Sequence, residues 1–403
     1  MNQNRSAIDA AGTHRKILMV STSLGFGGAD SQIVSIARVL RSRGWGVTVV
    51  SMIPPAAYRS QLEECGARVE SLEMTPGAPD CRAIWRLANL IRREKPDVVH
   101  SHMFHANLLT RLTRCVAPMP ALVCTAHNTR ESSQRGGPTW HKELLYRLTD
   151  RLANHTTIIC QAGFRRYAGT AVPASRLEVI PIGIDCCRFR PDPELRAQAR
   201  RELQLAENDL TFLAVGRMVV QKDYPNLLRA FARLGERRWR LLVAGTGPLE
   251  SEVQHLCREL GLEAQVRFLG VKEDVRPWFN AADAFVMGSA VEGMPVVLLE
   301  AAACGLPAIV TAAGGCAEVV VNGQTGFVAP IRNDVALAEA LNRFVDLPAA
   351  QRAEFAANAR SRALREFEIA GIVFRWESIY LQCLRKSRSA PALHAVSTGV
   401  KTR

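Results

Sequence analysis

Short apolar runs separated by longer amphipathic stretches recur through both halves of the 403-residue chain. In the first half they are Lys16–Thr22, Gly46–Met52, Arg68–Leu72, Val98–His100, Leu122–Thr125 and Thr157–Cys160. In the second they are Thr211–Val215, Arg240–Ala244, Val266–Leu269, Ala284–Met287 and Ala308–Thr311. Alternation of strand-like runs with helical segments predicts an α/β protein built on parallel sheets. The length exceeds what one hydrophobic core usually supports, so two domains are expected. We expect them over 15–185 and 195–370, with Val179–Asp185 closing the first and the Pro- and charge-rich Arg188–Glu194 as connector and hinge. An amphipathic helix over 371–385 is expected to cross back to the first domain, leaving residues 1–14 and 386–403 as flexible tails.

Composition removes several classes. No run of about 18 apolar residues exists to span a membrane. Met1–His14 is polar and lacks the apolar core of a signal peptide, which predicts a cytoplasmic protein. The 11 cysteines form no Cys-x-x-Cys pair, and Cys124, Cys160, Cys257, Cys304 and Cys316 sit among apolar or small residues. They are expected to be reduced core thiols. The net charge of +13 is uneven: residues 1–185 hold 23 Lys and Arg against 14 Asp and Glu, the remainder 28 against 24. A basic first half is either a solvated face or a surface attracted to an anionic leaflet, at about 1 kcal/mol per basic residue. Nucleic acid is not expected, because no aromatic-studded strand or recognition helix accompanies the charge.

The most informative stretch is Ser289 to Glu300. Gly293 and Pro295 break it, so Glu292 belongs to a loop and Glu300 to a helix starting near Pro295. The amides of Met294, Pro295's neighbour Val296 and the positive dipole end form an anion site suited to a diphosphate. A carboxylate on each side makes sense if both accept hydroxyl groups, which a nucleotide-sugar offers at its two ends. The plainer alternative is a capping acid and an ordinary helix acid.

Other loops follow strand ends. Ser23–Asp30 carries adjacent Gly27 and Gly28, which let a backbone approach a ligand closely. Asp30 stands where a dinucleotide-binding fingerprint needs its third glycine, so the loop is either a ligand loop or a tight turn. Gly216, Arg217 and Lys222 follow another strand, where two cations would neutralise a departing diphosphate. Solvated helix-start residues are the alternative. Gly245–Gly247 and Gly270–Lys272, with Val271, are turns that present backbone to a base or serve only as turns. Histidines cluster at His100, His102, His105 and His127; no carboxylate partner suggests a metal. His100 is expected to end its strand and His102 to begin a loop. His127 is expected to end the next strand on the ligand edge, where it either faces substrate or is a satisfied core residue.

In order, Gly27-Gly28-Ala29, His127-Asn128, Gly216-Arg217 with Lys222, Gly245-Thr246-Gly247-Pro248, Glu292 through Glu300, and Gly314-Gly315 with Glu318 resemble family-four retaining glycosyltransferases of the GT-B fold. The likeness runs from about Lys16 to Tyr380, and Glu-x7-Glu with the Glu300–Pro307 segment is its most specific part. It implies two facing Rossmann-like domains, the second holding a nucleotide-sugar donor and the first a glycan or lipid-linked acceptor. By that resemblance Arg217 and Lys222 clamp the diphosphate, and Glu300 accepts ribose hydroxyls. Glu292, with backbone at Gly293, Met294, Pro295 and Val296, holds the transferred sugar. Gly28 lies against phosphate, His127 meets the sugar near the reacting carbon, and no metal or other cofactor is required. Asp30 replaces the family's usual Glu, and Cys186-Cys187 stand where polar residues are usual. The expected activity is retaining transfer to a cell-envelope or exopolysaccharide acceptor. A sugar-nucleotide 2-epimerase and a non-catalytic nucleotide-sugar-binding protein share the architecture and remain alternatives.

Overall fold

A computed structural model describes residues 14–25, 27–127, 140–206, 209–235 and 237–389. The tail expectations for 1–13 and 390–403, and the motif residue Asn128, lie outside the described residues. One sheet holds β1 (Lys16–Ser21), β2 (Gly46–Ser51), β3 (Arg68–Ser71), β4 (Val98–His102), β5 (Ala121–Ala126), β6 (His155–Ile158) and β7 (Leu177–Val179). The other holds β8 (Leu210–Val215), β9 (Trp239–Ala244), β10 (Val266–Gly270), β11 (Ala284–Met287), β12 (Ala308–Thr311) and β13 (Gly326–Ala329). Their orders are β3-β2-β1-β4-β5-β6-β7 and β10-β9-β8-β11-β12-β13, with the pairings parallel. β4, β5 and nearly all of β1 and β2 are buried, which explains the unbroken apolar runs.

Each order reverses beside its first strand, between β1 and β4 and between β8 and β11. Loops leaving the carboxyl ends of strands at such a point frame the ligand crevice of an open α/β sheet. The two sheets therefore supply two Rossmann-like halves, the GT-B architecture expected from the sequence.

Several local expectations need correction. β4 continues through His100 to His102, because both imidazoles point into buried surroundings and are fully covered. β7 and β13 were not anticipated: the first is three residues long, and the second follows the turn-rich Asn322–Thr325. The helix Pro193–Glu202 begins inside the expected connector, because the Asp192 carboxylate caps it by accepting from Glu194 N (3.0 Å) and Leu195 N (3.1 Å). The returning helix is Ile369–Ser389, so residues 386–389 are helical rather than tail.

That returning helix buries Ile369, Ile372, Val373, Trp376, Ile379, Tyr380, Cys383 and Leu384, the spacing of one helical face. They pack with Ile17, Met19, Ile33, Leu40 and Val123 of the first half. Each large apolar side chain so covered contributes about 1.5–3 kcal/mol. Glu377, on the same helix, pairs with Arg43 and accepts from Trp45 Nε1 at 2.9 Å. The chain is also pinned by Ile184 N–H donating to the Phe367 carbonyl at 2.7 Å and Ile369 N–H to the Ile184 carbonyl at 2.9 Å.

All 11 cysteines are free, and Cys124, Cys160, Cys257, Cys304 and Cys316 are buried as expected. Burial pushes the Cys160 thiol up to about 11 and Cys304 to about 12, the mark of inert core groups. Among the described residues no helix is long and apolar enough to cross a membrane.

Candidate functional site

The sequence-selected loops converge on the carboxyl ends of the two sheets. Gly216 and Arg217 leave β8, Gly245–Gly247 leave β9, and Val271 leaves β10 with 71% of its surface exposed. The β8 and β9 loops are laced together: Met218 N–H donates to the Thr246 carbonyl at 2.9 Å. After β11, Ser289 to Pro295 form a loop and the helix Val296–Ala303 follows. Pro295 is the N-cap of that helix rather than its first residue, and no side chain caps it. Glu292 lies in the loop and Glu300 in the helix, as the glycine and proline between them predict.

The two acids have different surroundings. Glu292 Oε1 lies 2.7 Å from Lys222 Nζ, with side chains only 10% and 22% exposed. Lys222 closes the short turn Val220–Lys222, after which the Asp223 carboxylate accepts from Asn226 N and starts the next helix. Ala290 N–H donates to the Gln221 carbonyl at 2.9 Å, so the turn carrying Lys222 and the loop carrying Glu292 are fastened together. Arg217 is exposed and forms no ion pair among the described residues. The Glu300 carboxylate makes no hydrogen bond or ion pair among the described residues. Burial pushes it up to about 7, against the opposing charge of Arg188.

On the opposite edge, the helix Gly28–Ser42 begins at Gly28, directly after the N-cap Gly27. Asp30 turns back into the loop before it, accepting from Gly25 N at 3.0 Å and from the Ser21 and Ser23 hydroxyls at 3.4 Å each. Burial pushes its carboxyl up to about 6, with those bonds opposing. Asp30 thus braces the glycine loop from within. A Cβ on Gly28 would lie 2.9 Å from Val296 Cγ2, so this loop meets the start of the Glu300 helix directly. His127 follows β5 and is buried, with Nε2 3.0 Å from His102 Nδ1. Its carbonyl faces Gly293 so closely that a Cβ there would collide with it.

Sequence reasoning named Glu318 without a role. Its carboxylate accepts from Gln161 N at 2.7 Å and Ala162 N at 2.9 Å, capping the helix Gln161–Thr170 from the other half of the chain. Tyr58 and Arg188 were not singled out at all. Burial raises the Tyr58 phenol, and the charges of Asp30 and Glu300 raise it further. No spacing signal marks either residue. His100 is bonded on both ring nitrogens, to Tyr380 Oη and Thr125 Oγ1 at 2.7 Å each, so His100-x-His102 is a packed pair. Two concavities, of about 560 and 640 Å³, lie away from these residues beside Arg196 and Arg114. The candidate site is instead the crevice between the two strand edges.

Comparison with known proteins agrees with this geometry. The family model for glycosyl transferases group 1 matches residues 196–362, and that for a glycosyl transferase 4-like domain matches 27–183. D-inositol 3-phosphate glycosyltransferase of Actinosynnema mirum is 34% identical over 291 residues, covering 66% of this chain and 68% of that protein. The Escherichia coli UDP-Gal:alpha-D-GlcNAc-diphosphoundecaprenol alpha-1,3-galactosyltransferase is 26% identical over 315 residues, covering 75% and 79%. Anabaena HepE, solved with UDP and glucose, superposes with a TM-score of 0.80 at 22% identity, covering 92% of this chain and 100% of that one. At that identity the superposition speaks for the fold. Two sheets meeting at their carboxyl edges, each matched by its own glycosyltransferase model, identify the chain as a member of the group 1 glycosyltransferases of the GT-B fold.

Proposed function

We propose that this glycosyltransferase moves a sugar from a nucleoside diphosphate donor to a cell-envelope or exopolysaccharide acceptor, with retention at the anomeric carbon and without a metal. The observation that carries the reading is the Lys222–Glu292 pair beside the uncapped start of the helix bearing Glu300. A cation, free amides and two acids in one crevice match a diphosphate with hydroxyl groups on both sides. The relative that acts from UDP-Gal on a diphosphoundecaprenol acceptor, and the UDP and glucose in HepE, support the donor class and a lipid-linked acceptor.

In this reading Arg217 and Lys222 neutralise the diphosphate as it leaves. Glu300 accepts the ribose hydroxyls, and Val271 lies beside the base. Glu292 and the backbone of Gly293, Met294, Pro295 and Val296 hold the transferred sugar. Gly27, Gly28, Gly216 and Gly247 let backbone approach the phosphates, and His127 meets the sugar. The bond from the anomeric carbon to the phosphate oxygen breaks, and the acceptor oxygen bonds to the same face. The acceptor proton passes to the departing phosphate. Stabilising charge that develops only as the bond breaks is the most effective use of the two cations. Proton magnetic resonance of the first-formed product tests the stereochemistry: an anomer matching the donor supports retention, and the opposite anomer refutes it.

The acceptor side has a matching surface. The helix Trp140–Thr149 exposes Trp140, Leu144 and Leu148, four residues apart, at 65%, 44% and 68%, with the exposed Arg147 on the same side. Apolar and basic groups side by side on one helix suit an anionic lipid interface. Co-sedimentation with anionic vesicles at low salt, lost in Trp140→Ser/Leu148→Ser, is the expected result. Absence of co-sedimentation by the unaltered protein refutes membrane docking.

A further inference from the structure

His127 is not a lone imidazole. β4 and β5 pair in parallel with His102 opposite Thr125, which brings His102 beneath the end of β5. There His102 Nδ1 and His127 Nε2 lie 3.0 Å apart. The His102 ring, itself fully covered, also packs at 4.0 Å against His100, whose nitrogens are held by Tyr380 of the returning helix and by Thr125. Burial lowers all three imidazoles, His100 to about 3 and His127 to about 4, so each is neutral near pH 7.

Two neutral imidazoles joined nitrogen to nitrogen share a single N–H, and only two complementary proton arrangements exist. The remaining nitrogens, His102 Nε2 and His127 Nδ1, are both buried and have no partner among the described residues. If His127 donates, the hydrogen of His102 sits on Nε2, stranded deep in the first half. If His102 donates, His102 Nε2 is a bare acceptor, and the unmet hydrogen sits on His127 Nδ1. A stranded buried donor is the costlier defect. His127 is the less covered of the two, 7% exposed against 0%, and its backbone abuts Gly293 across the crevice. Only there can an incoming oxygen take up the missing bond.

We infer that His102 is a positioning residue that fixes His127 as the Nδ1–H tautomer, aimed as a hydrogen-bond donor at a hydroxyl oxygen of the bound ligand. The identity of that oxygen as one on the donor sugar rests on the transferase reading; the tautomer does not. Nothing in the chemistry of His102 requires contact with substrate. Its effect passes through His127, much as an outer group sets the working nitrogen of a functional histidine.

The test is nitrogen-15 spectroscopy of the full-length protein labelled at histidine, near neutral pH, without ligand. Protonated and bare ring nitrogens are resolved, and His127→Gln assigns the signals. The expected spectrum shows His127 with Nδ1 protonated and Nε2 bare. His102→Leu should lose that preference and lower kcat/KM by about tenfold to hundredfold, the scale for removing outer partners of a functional histidine. His102→Asn, whose amide occupies the place of Nδ1, should keep both the tautomer and the rate within about threefold. If the leucine variant fails to fold, His102→Gln, with its amide nearer the place of Nε2, serves instead and should behave as the leucine variant does. A His127 carrying its proton on Nε2, or one whose spectrum does not change in the leucine or glutamine variant, overturns the inference. Should the tautomer be as stated while no nucleotide-sugar shifts the His127 signal, the donor reading fails and the inference stands.

Discussion

Lys222 and Glu292, 70 residues apart in sequence, meet at 2.7 Å in the crevice between the two sheets. In the proposed reaction Lys222 is the cation that meets the departing phosphate charge, and Glu292 is the partner that the structure gives it. The pair's Coulomb energy at such partial burial is modest, so a diphosphate with two or more negative charges competes for the ammonium effectively.

Lys222→Ala is therefore expected to lower kcat and kcat/KM together, by on the order of 10²–10³, because the interaction grows as the bond breaks. Steady-state kinetics with a fixed acceptor checks this. A rise in KM at unchanged kcat would show that Lys222 only binds the ground state.

Glu300 gives a pH dependence whose sign follows from its environment. Burial raises its carboxyl from 4.5 to about 7 in the folded protein. The folded state thus favours the protonated acid; that stability is fully present below about pH 4.5 and is lost as pH rises through about 7. If ribose hydroxyls require the ionised acceptor, nucleotide affinity moves the other way and increases between about pH 6 and 8. Glu300→Gln should flatten both trends, weaken the nucleotide and leave the fold intact. Calorimetric titration of nucleoside diphosphate across that range decides the matter, and an unchanged slope in the variant contradicts the assignment.

Much of this arrangement is legible in the sequence because parallel strands covered on both faces leave unbroken apolar runs. β1, β2, β8 and β9 announce themselves in that way. The runs fail where polar side chains are buried with partners of distant origin. His100 reads as a strand end until Tyr380, 280 positions on, supplies its bond. β13 hides behind Asn322 to Gly326, whose residues signal only a turn. Glu292 and Glu300 could be assigned to loop and helix from Gly293 and Pro295 alone. That Glu292 meets Lys222 depends on β8 and β11 lying side by side, that Asp30 braces its own glycine loop depends on the loop turning back on itself, and that Glu318 reaches Gln161 depends on how the two sheets are brought together. No local pattern encodes those contacts.

Glu318 holds the two halves in their present relation through the Gln161 and Ala162 amides. Glu318→Ala leaves both N–H groups of a helix start without their cap, at a cost of about 0.5–2 kcal/mol. Small-angle scattering should then report a larger radius of gyration, because the packing of Ile159, Cys160 and Ala162 in the apolar cluster with Met294, Leu298 and Cys316 is left to fasten that helix start to the second half. Identical scattering curves would show that Glu318 is only a cap.

Glu377 makes the returning helix a structural lock. Its side chain is 3% exposed, pairs with the 11% exposed Arg43 and accepts from the Trp45 indole. Glu377→Ala removes one partner of a buried pair and is expected to cost about 3–5 kcal/mol. Thermal unfolding measured against Ser378→Ala, a change on the solvent side of the same helix, checks it. Equal midpoints for the two variants would contradict the account.

The most direct test of the central claim is a screen of the purified protein against UDP-, GDP-, ADP- and TDP-sugars, without added metal, reading thermal stabilisation and release of nucleotide. The account predicts that one donor class stabilises the protein and is slowly hydrolysed, and that Glu292→Ala abolishes the hydrolysis. If none of the four stabilises it, the crevice between Lys222, Glu292 and Glu300 does not hold a nucleotide-sugar, and the proposed reaction is wrong.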